Sequence, residues 1–61
     1  MKVTIDLDTY DITAPKTFLE QIAKENKIIE KAGGTPIDYK TRILKAVQTG
    51  LDNSDEHFKL K

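Results

Sequence analysis

Carboxylates are the side chains whose type and spacing could most readily do chemistry in this sequence. Asp6, Asp8 and Asp11 follow one another closely, and carboxylate oxygens are ligands for Ca²⁺ and Mg²⁺. No glycine separates them to turn the chain into a chelating loop. The segment DNSDEH, residues 52–57, also lacks the glycine at the sixth position and the distal glutamate of a calcium loop. We therefore predict no metal site and no cofactor.

Nucleophilic or acid–base catalysis is not expected either. The chain has one histidine, His57, and no cysteine. A nucleophile, a base and an orienting group cannot be assembled from this set, and a zinc centre normally needs more nitrogen or sulfur ligands. His57 is expected to be an exposed residue of the C-terminal tail. The sequence thus predicts a protein that is not an enzyme.

The length of the chain favours a protein that works with a partner. Its 61 residues make one domain at most, and a domain of this size buries only about 60% of its unfolded surface. Small scaffolds are often reinforced by a disulfide, a metal or a partner chain. Because the first two are not expected here, we predict a homodimer. No apolar run is long enough for a signal peptide or a membrane span, so we expect a cytoplasmic protein.

The N-terminal segment VTIDL, residues 3–7, alternates apolar and polar side chains, which predicts a strand with a dry face and a wet face. The dry face consists of Val3, Ile5 and Leu7, and the wet face of Lys2, Thr4 and Asp6. The alternation then breaks. Either the strand ends near Asp8, which we favour, or Asp8-Thr9 turns into a second short strand. A lone strand lacks backbone partners, so we expect the strands of two copies to pair.

An amphipathic helix is predicted after the strand. Apolar residues spaced three and four apart indicate a helix over residues 16–32. Thr13 is its expected N-cap. Gly33 and Gly34 are its expected end, because glycine accepts the left-handed conformation that often closes a helix.

A second helix follows the glycines. It begins after Thr35 or after Asp38, since both side chains can cap a helix, and Gly50 is its expected stop. Residues 52–61 form a polar tail that makes one helical turn or frays. The predicted fold, over residues 1–51, is mainly α with one short N-terminal strand, in the order strand, helix, helix. The side chains expected in its core or dimer interface are Val3, Ile5, Leu7, Phe18, Leu19, Ile22, Ile29, Ile43, Leu44 and Val47.

This order and three short motifs resemble the ribbon-helix-helix (Arc/MetJ/CopG-like) superfamily of repressors and antitoxins. VTIDLD is similar to the family's strand, KAGGTP to its inter-helix turn, and DYKTRILKAV to the second helix of its antitoxin branch. The resemblance spans residues 2–51. It implies a homodimer whose paired strands lie in the major groove of double-stranded DNA. The implied base-contacting residues are Lys2, Thr4 and Asp6, and the implied phosphate-contacting residues are Thr35, Ile37, Asp38, Lys40 and Arg42.

A second class of function is also open. A net charge of zero and the lack of catalytic groups fit a small modulator that binds another protein. Examples are a phage- or plasmid-type inhibitor of a host protein, or a protein whose partner is a toxin. Its contact surface would be the edge of the strand, added to a partner's sheet, or the apolar stripe of the first helix. Binding to DNA that weakens steeply as salt rises would separate the first class from the second.

Overall fold

The computed structural model describes residues 1–61 and is mainly helical, as predicted. Its elements are β1 (Thr4–Ile5), β2 (Ile12–Thr13), α1 (Phe18–Lys31), α2 (Tyr39–Asp52) and α3 (Ser54–His57). None of the helices has the length and apolar character needed to cross a membrane.

The two short strands form an antiparallel hairpin within the chain, with Thr4 opposite Thr13. The favoured prediction, one strand that ends near Asp8 and has no partner in its own chain, is therefore wrong, and the alternative of a turn into a second short strand is confirmed. The side chain of Asp6 is the reason. Its Oδ1 accepts from the backbone N–H groups of Asp8 at 2.9 Å and Thr9 at 3.1 Å. A carboxylate in this arrangement imitates a backbone turn and reverses the chain.

Helix α1 begins two residues later than predicted and ends where predicted. Thr13 lies in β2 rather than at the helix N-cap, which is Thr17. At the other end, Gly33 has a positive φ of 82°. Its N–H donates to Glu30 at 3.0 Å, and the N–H of Gly34 donates to Ile29 at 2.8 Å. This pair of bonds is the Schellman arrangement, which satisfies carbonyls that the helix end leaves free.

Helix α2 takes the later of its two predicted starts and runs past its predicted end. The N-cap is Asp38, whose side chain accepts from the backbone N–H of Thr41 at 2.8 Å. The expected stop at Gly50 is wrong, because the helix continues to Asp52. A glycine inside a helix costs only about 1 kcal/mol relative to alanine. The stop comes at Asn53, whose side-chain amide donates to the Thr49 carbonyl at 2.9 Å. Asn53 also precedes α3, so the tail forms a helical turn rather than fraying.

The chain is open for its size. It exposes 5663 Å², whereas a folded monomer of this mass exposes about 4,000 Å². Its radius of gyration is 13.5 Å, whereas about 10.5 Å is typical of a compact domain of this length. Phe18 and Ile22, each 6% exposed, are its only buried residues. The chain therefore builds little core by itself.

The residues predicted for the core or the dimer interface divide into three groups. Phe18 and Ile22, both on α1, are buried. Phe18 also contacts Tyr39 of α2 edge to face, with the ring centroids 6.4 Å apart. The half-buried group is Val3, Ile29 and Ile43, and the exposed group is Ile5, Leu7, Leu19, Leu44 and Val47. Most of the predicted core thus lies at the surface of the chain.

Candidate binding surfaces

The strand residues implied in base contacts occupy different positions in the hairpin. Lys2 precedes β1, Thr4 lies in it, and Asp6 lies in the turn; all three are exposed. Hydrogen bonds from the backbone N–H of Thr9, and then from that of Asp8, lower the pKa of the Asp6 carboxyl. The structure therefore assigns Asp6 a role within the hairpin, which the alternating pattern of the sequence did not indicate.

The residues implied in phosphate contacts lie together at the start of α2, but they have different structural roles there. Thr35 and Ile37 precede the helix. Hydrogen bonds from the hydroxyl and the backbone N–H of Thr41 lower the pKa of the Asp38 carboxyl. The backbone N–H groups of Tyr39 and Lys40 lie in the first turn, where no helical carbonyl is available to them. These two N–H groups are the ones free to meet an anion.

Basic side chains line the first two turns of α2, where no acidic residue lies in the first turn. The ammonium of Lys40 is 6.0 Å from the centroid of the Tyr39 ring. Arg42 is shared with α1, because its Nε lies 3.6 Å from Oε2 of Glu25. Both side chains of that pair are well exposed, so the pair contributes little to stability. Lys45 lies on the same side of the helix as Arg42, one turn further on, whereas Lys40 lies on the other side.

Asn26 is a structural residue that the sequence did not single out. Its side-chain amide donates to the Ile37 carbonyl and its Oδ1 accepts from the Ile37 N–H, both at 2.9 Å. One side chain thereby fixes the segment that leads into α2. A signal was present: Asn26 is the polar residue at a core-facing helical spacing between Ile22 and Ile29.

An apolar surface, called here the apolar face, covers one side of the molecule. It combines a groove of about 310 Å³ between the N-terminal segment and α2 with the adjoining exposed side chains of α2. Its apolar members are Met1, Val3, Ile5, Ile43, Leu44, Val47 and Leu51, and Arg42 is the charged residue that also lines the groove. Leu44 is 69% exposed and Leu51 is 61% exposed. A contiguous apolar patch of this kind usually marks a site of interaction.

A second concave surface, called here the basic cleft, lies between α1 and α2 and has a volume of about 540 Å³. Its aliphatic floor includes Ile22, Ile29 and Ile37. Its charged and titratable side chains are Glu25, Arg42, Lys45 and His57. Cationic groups therefore outnumber acidic groups around an apolar floor.

Comparisons with models of protein families, with curated proteins and with solved structures found no match. No group of three or more histidine, cysteine, aspartate or glutamate residues is placed to hold a metal ion. The function is therefore inferred from the chemistry of the surfaces described above.

Proposed function

We propose that the chain is a non-enzymatic binding protein that completes its core as a homodimer and, as a dimer, binds double-stranded DNA in the manner of a repressor or antitoxin. The single observation that carries this proposal is the open protomer with its apolar face. The protomer exposes 5663 Å², about 1,700 Å² more than expected for its mass. A standard protein–protein interface buries about 1,600 Å² in total.

The apolar face has the composition that a homodimer interface needs. Such interfaces resemble a hydrophobic core cut in half, with charged residues depleted at the centre. Leu44, Val47 and Leu51 lie within about 60° of one another on a helix that advances about 100° per residue. Fully burying one such side chain contributes about 1.5–3 kcal/mol. A second copy that covers the same face supplies this burial twice, because a two-fold interface is self-complementary.

The DNA-binding half of the proposal rests on the start of α2 and on the hairpin. The free N–H groups of Tyr39 and Lys40, with the ammonium of Lys40, are donors of the kind that hold a phosphate at a helix N-terminus, beside the Asp38 carboxylate that caps the helix. The hairpin is a two-stranded β-ribbon, and the major groove accepts a β-ribbon. Lys2 and Thr4 are the exposed hairpin residues available for base edges. The ribbon-helix-helix resemblance implies the same start of α2, but it implies a ribbon made by the strands of two copies, whereas here β1 pairs with β2 of its own chain.

The decisive experiment measures binding of the full chain to two duplexes by fluorescence anisotropy. One duplex comes from upstream of the gene that encodes the chain, and the other is a scrambled duplex of equal length. We expect binding that weakens steeply with salt, because each phosphate contact contributes about −0.9 to the slope of log K against log salt. Replacing Lys40 by glutamine reduces that slope by about 0.9 if its ammonium contacts a phosphate.

The matched control is Lys59→Gln, which removes the same charge from the exposed tail. It should leave the slope unchanged. Absence of salt-sensitive binding at low salt, for either duplex, contradicts the DNA-binding half of the proposal. The homodimer is tested separately by sedimentation.

The apolar face also favours a second candidate function, a modulator that binds another protein. The chain has zero net charge, whereas most DNA-binding domains are basic. A different protein that covers the apolar face would bury the same exposed side chains. A chain that sediments as a monomer at micromolar concentration and binds neither duplex supports this second function.

A further inference from the structure

The turn of the hairpin carries both acidic and apolar side chains that are exposed to solvent. This segment, called here the hairpin tip, runs over residues 6–11 and contains three aspartates. Leu7 and Tyr10 are 82% and 83% exposed, so neither side chain contributes to the core of its own protomer. Charge and exposed apolar surface together are typical of a segment that contacts another molecule.

The hairpin tip is held in a defined shape by its own hydrogen bonds. Besides the bonds to the Asp6 carboxylate, the backbone N–H of Tyr10 donates to the Asp6 carbonyl at 2.8 Å and that of Asp6 to the Asp11 carbonyl at 2.9 Å. Tyr10 has a positive φ of 65°, which is rare for a bulky residue. Such a conformation costs on the order of 1–3 kcal/mol and occurs preferentially at functional positions. The ring that it positions makes no core contact in the protomer.

The basic cleft is complementary to this segment in both charge and polarity. Two cations, Arg42 and Lys45, stand against a single acid, Glu25, around the aliphatic floor, and Glu25 already lies 3.6 Å from Arg42. The cleft volume of about 540 Å³ is within the range of about 300–1,000 Å³ that encloses a drug-sized ligand. It therefore has room for the side chains at the end of a tight hairpin.

We propose that the hairpin tip of another copy of this chain docks in the basic cleft. Leu7 and Tyr10 cover the aliphatic floor, and the carboxylates of Asp8 and Asp11 meet Arg42 and Lys45. The contact joins a cleft to a different surface, so it is heterologous. It buries the two exposed apolar side chains of the tip and pairs its charges.

The geometry of α2 places this contact between dimers. At about 100° per residue, Lys45 and Thr49 of the cleft lie on the opposite flank of the helix from Val47 and Leu51. A homodimer closed over the apolar face therefore leaves the Lys45 and Thr49 side of the basic cleft open, while Arg42 lies at the border, since it lines both the cleft and the groove of the apolar face. The inference rests on the homodimer of the proposed function but not on DNA binding. Its product is an assembly larger than a dimer.

The test is sedimentation velocity of the full chain over a range of concentrations, at low and at high salt. We expect a dimer that associates further at low salt, and less at high salt, because exposed charges are screened. Lys45→Glu alone and Asp8→Lys alone should each weaken association beyond the dimer by about tenfold or more, as close charge pairs across interfaces do. The double variant, which restores opposite charges, should recover most of that loss.

A second variant removes the apolar part of the contact without disturbing the hairpin. Tyr10→Gly keeps a residue that accepts positive φ and deletes the ring. It should abolish association beyond the dimer and leave thermal stability of the dimer equal or higher. Leu19→Ala, on an exposed α1 residue that lines neither concave surface, is the matched control and should change nothing.

Two results overturn the inference while the homodimer stands: a wild-type chain that remains a dimer at every concentration and salt, or a double variant that does not recover. A wild-type monomer overturns the homodimer as well.

Discussion

Replacing Asn26 by alanine tests whether one side chain joins α1 to the start of α2. Its amide makes two hydrogen bonds of 2.9 Å with the backbone of Ile37, and both residues are half-buried. Each such bond contributes about 1 kcal/mol net. Alanine offsets about 0.5 kcal/mol of this loss, because it has the higher helix propensity. The expected loss in the free energy of unfolding is therefore about 1.5 kcal/mol.

Thermal denaturation followed by far-UV circular dichroism measures this loss. A change of about 1.5 kcal/mol lowers the midpoint of a domain of this size by about 6–12 °C. Protein concentration must be held fixed, because association shifts the midpoint of a dimer. The matched control is Gln21→Ala on the same helix, which removes a local, exposed hydrogen bond of 2.8 Å to the Thr17 hydroxyl. The control should cost less than about 0.5 kcal/mol.

The reasoning is refuted if Asn26→Ala unfolds within about 0.5 kcal/mol of the wild type, a change no larger than that of an ordinary surface substitution. That result would mean that the segment before α2 is held by other contacts. A loss larger than about 3 kcal/mol would also contradict it, because two partly exposed hydrogen bonds cannot supply that much.

Three further predictions concern the interface, the glycines and acid stability. Leu44→Lys should convert the dimer to a monomer in sedimentation, whereas Ile28→Lys, at the same 69% exposure but outside the apolar face, should not. In thermal melts, Gly33→Ala should lower the free energy of unfolding by about 1–2 kcal/mol, because the φ of Gly33 is positive. Gly50→Ala should raise the free energy of unfolding by up to about 1 kcal/mol, because this position is helical and has open space around it. The pKa of Asp38 is lowered from 3.8, so the stabilising effect of its carboxylate is present above that pH and disappears as pH falls through the lowered pKa. Asp38→Asn should therefore flatten the acid part of the curve of stability against pH. An unchanged curve would show that Asp38 is not its source.

The features that the sequence predicted correctly are those decided by local chemistry. The end of α1 at Gly33 follows from a backbone conformation that glycine accepts, and neighbouring elements do not alter it. The start of α2 was left between Thr35 and Asp38, because each is a sound cap by itself. In the folded chain, Asn26 holds the backbone of Ile37 outside the helix, which leaves Asp38 as the cap. A contact between residues eleven positions apart is not visible in a local pattern.

The hairpin was the less favoured of two alternatives for a related reason. Its strands are two residues long, too short for β2 to show an alternating pattern. Asp6 fits the polar face of a strand equally well as it fits a turn, and only its hydrogen bonds distinguish the two roles. The basic cleft could not be predicted either, because its residues come from all three helices and from the segment between α1 and α2.

The small number of buried side chains has a consequence for the amount of folded protein. When most of a core is formed only by association, the folded fraction rises with the concentration of the chain itself. Chains that are newly made or scarce spend more time open, and proteases act on open chains in proportion to their population. For the proposed homodimer, copy number would then control both assembly and lifetime, and a modest fall in synthesis would remove the dimer faster than dilution alone.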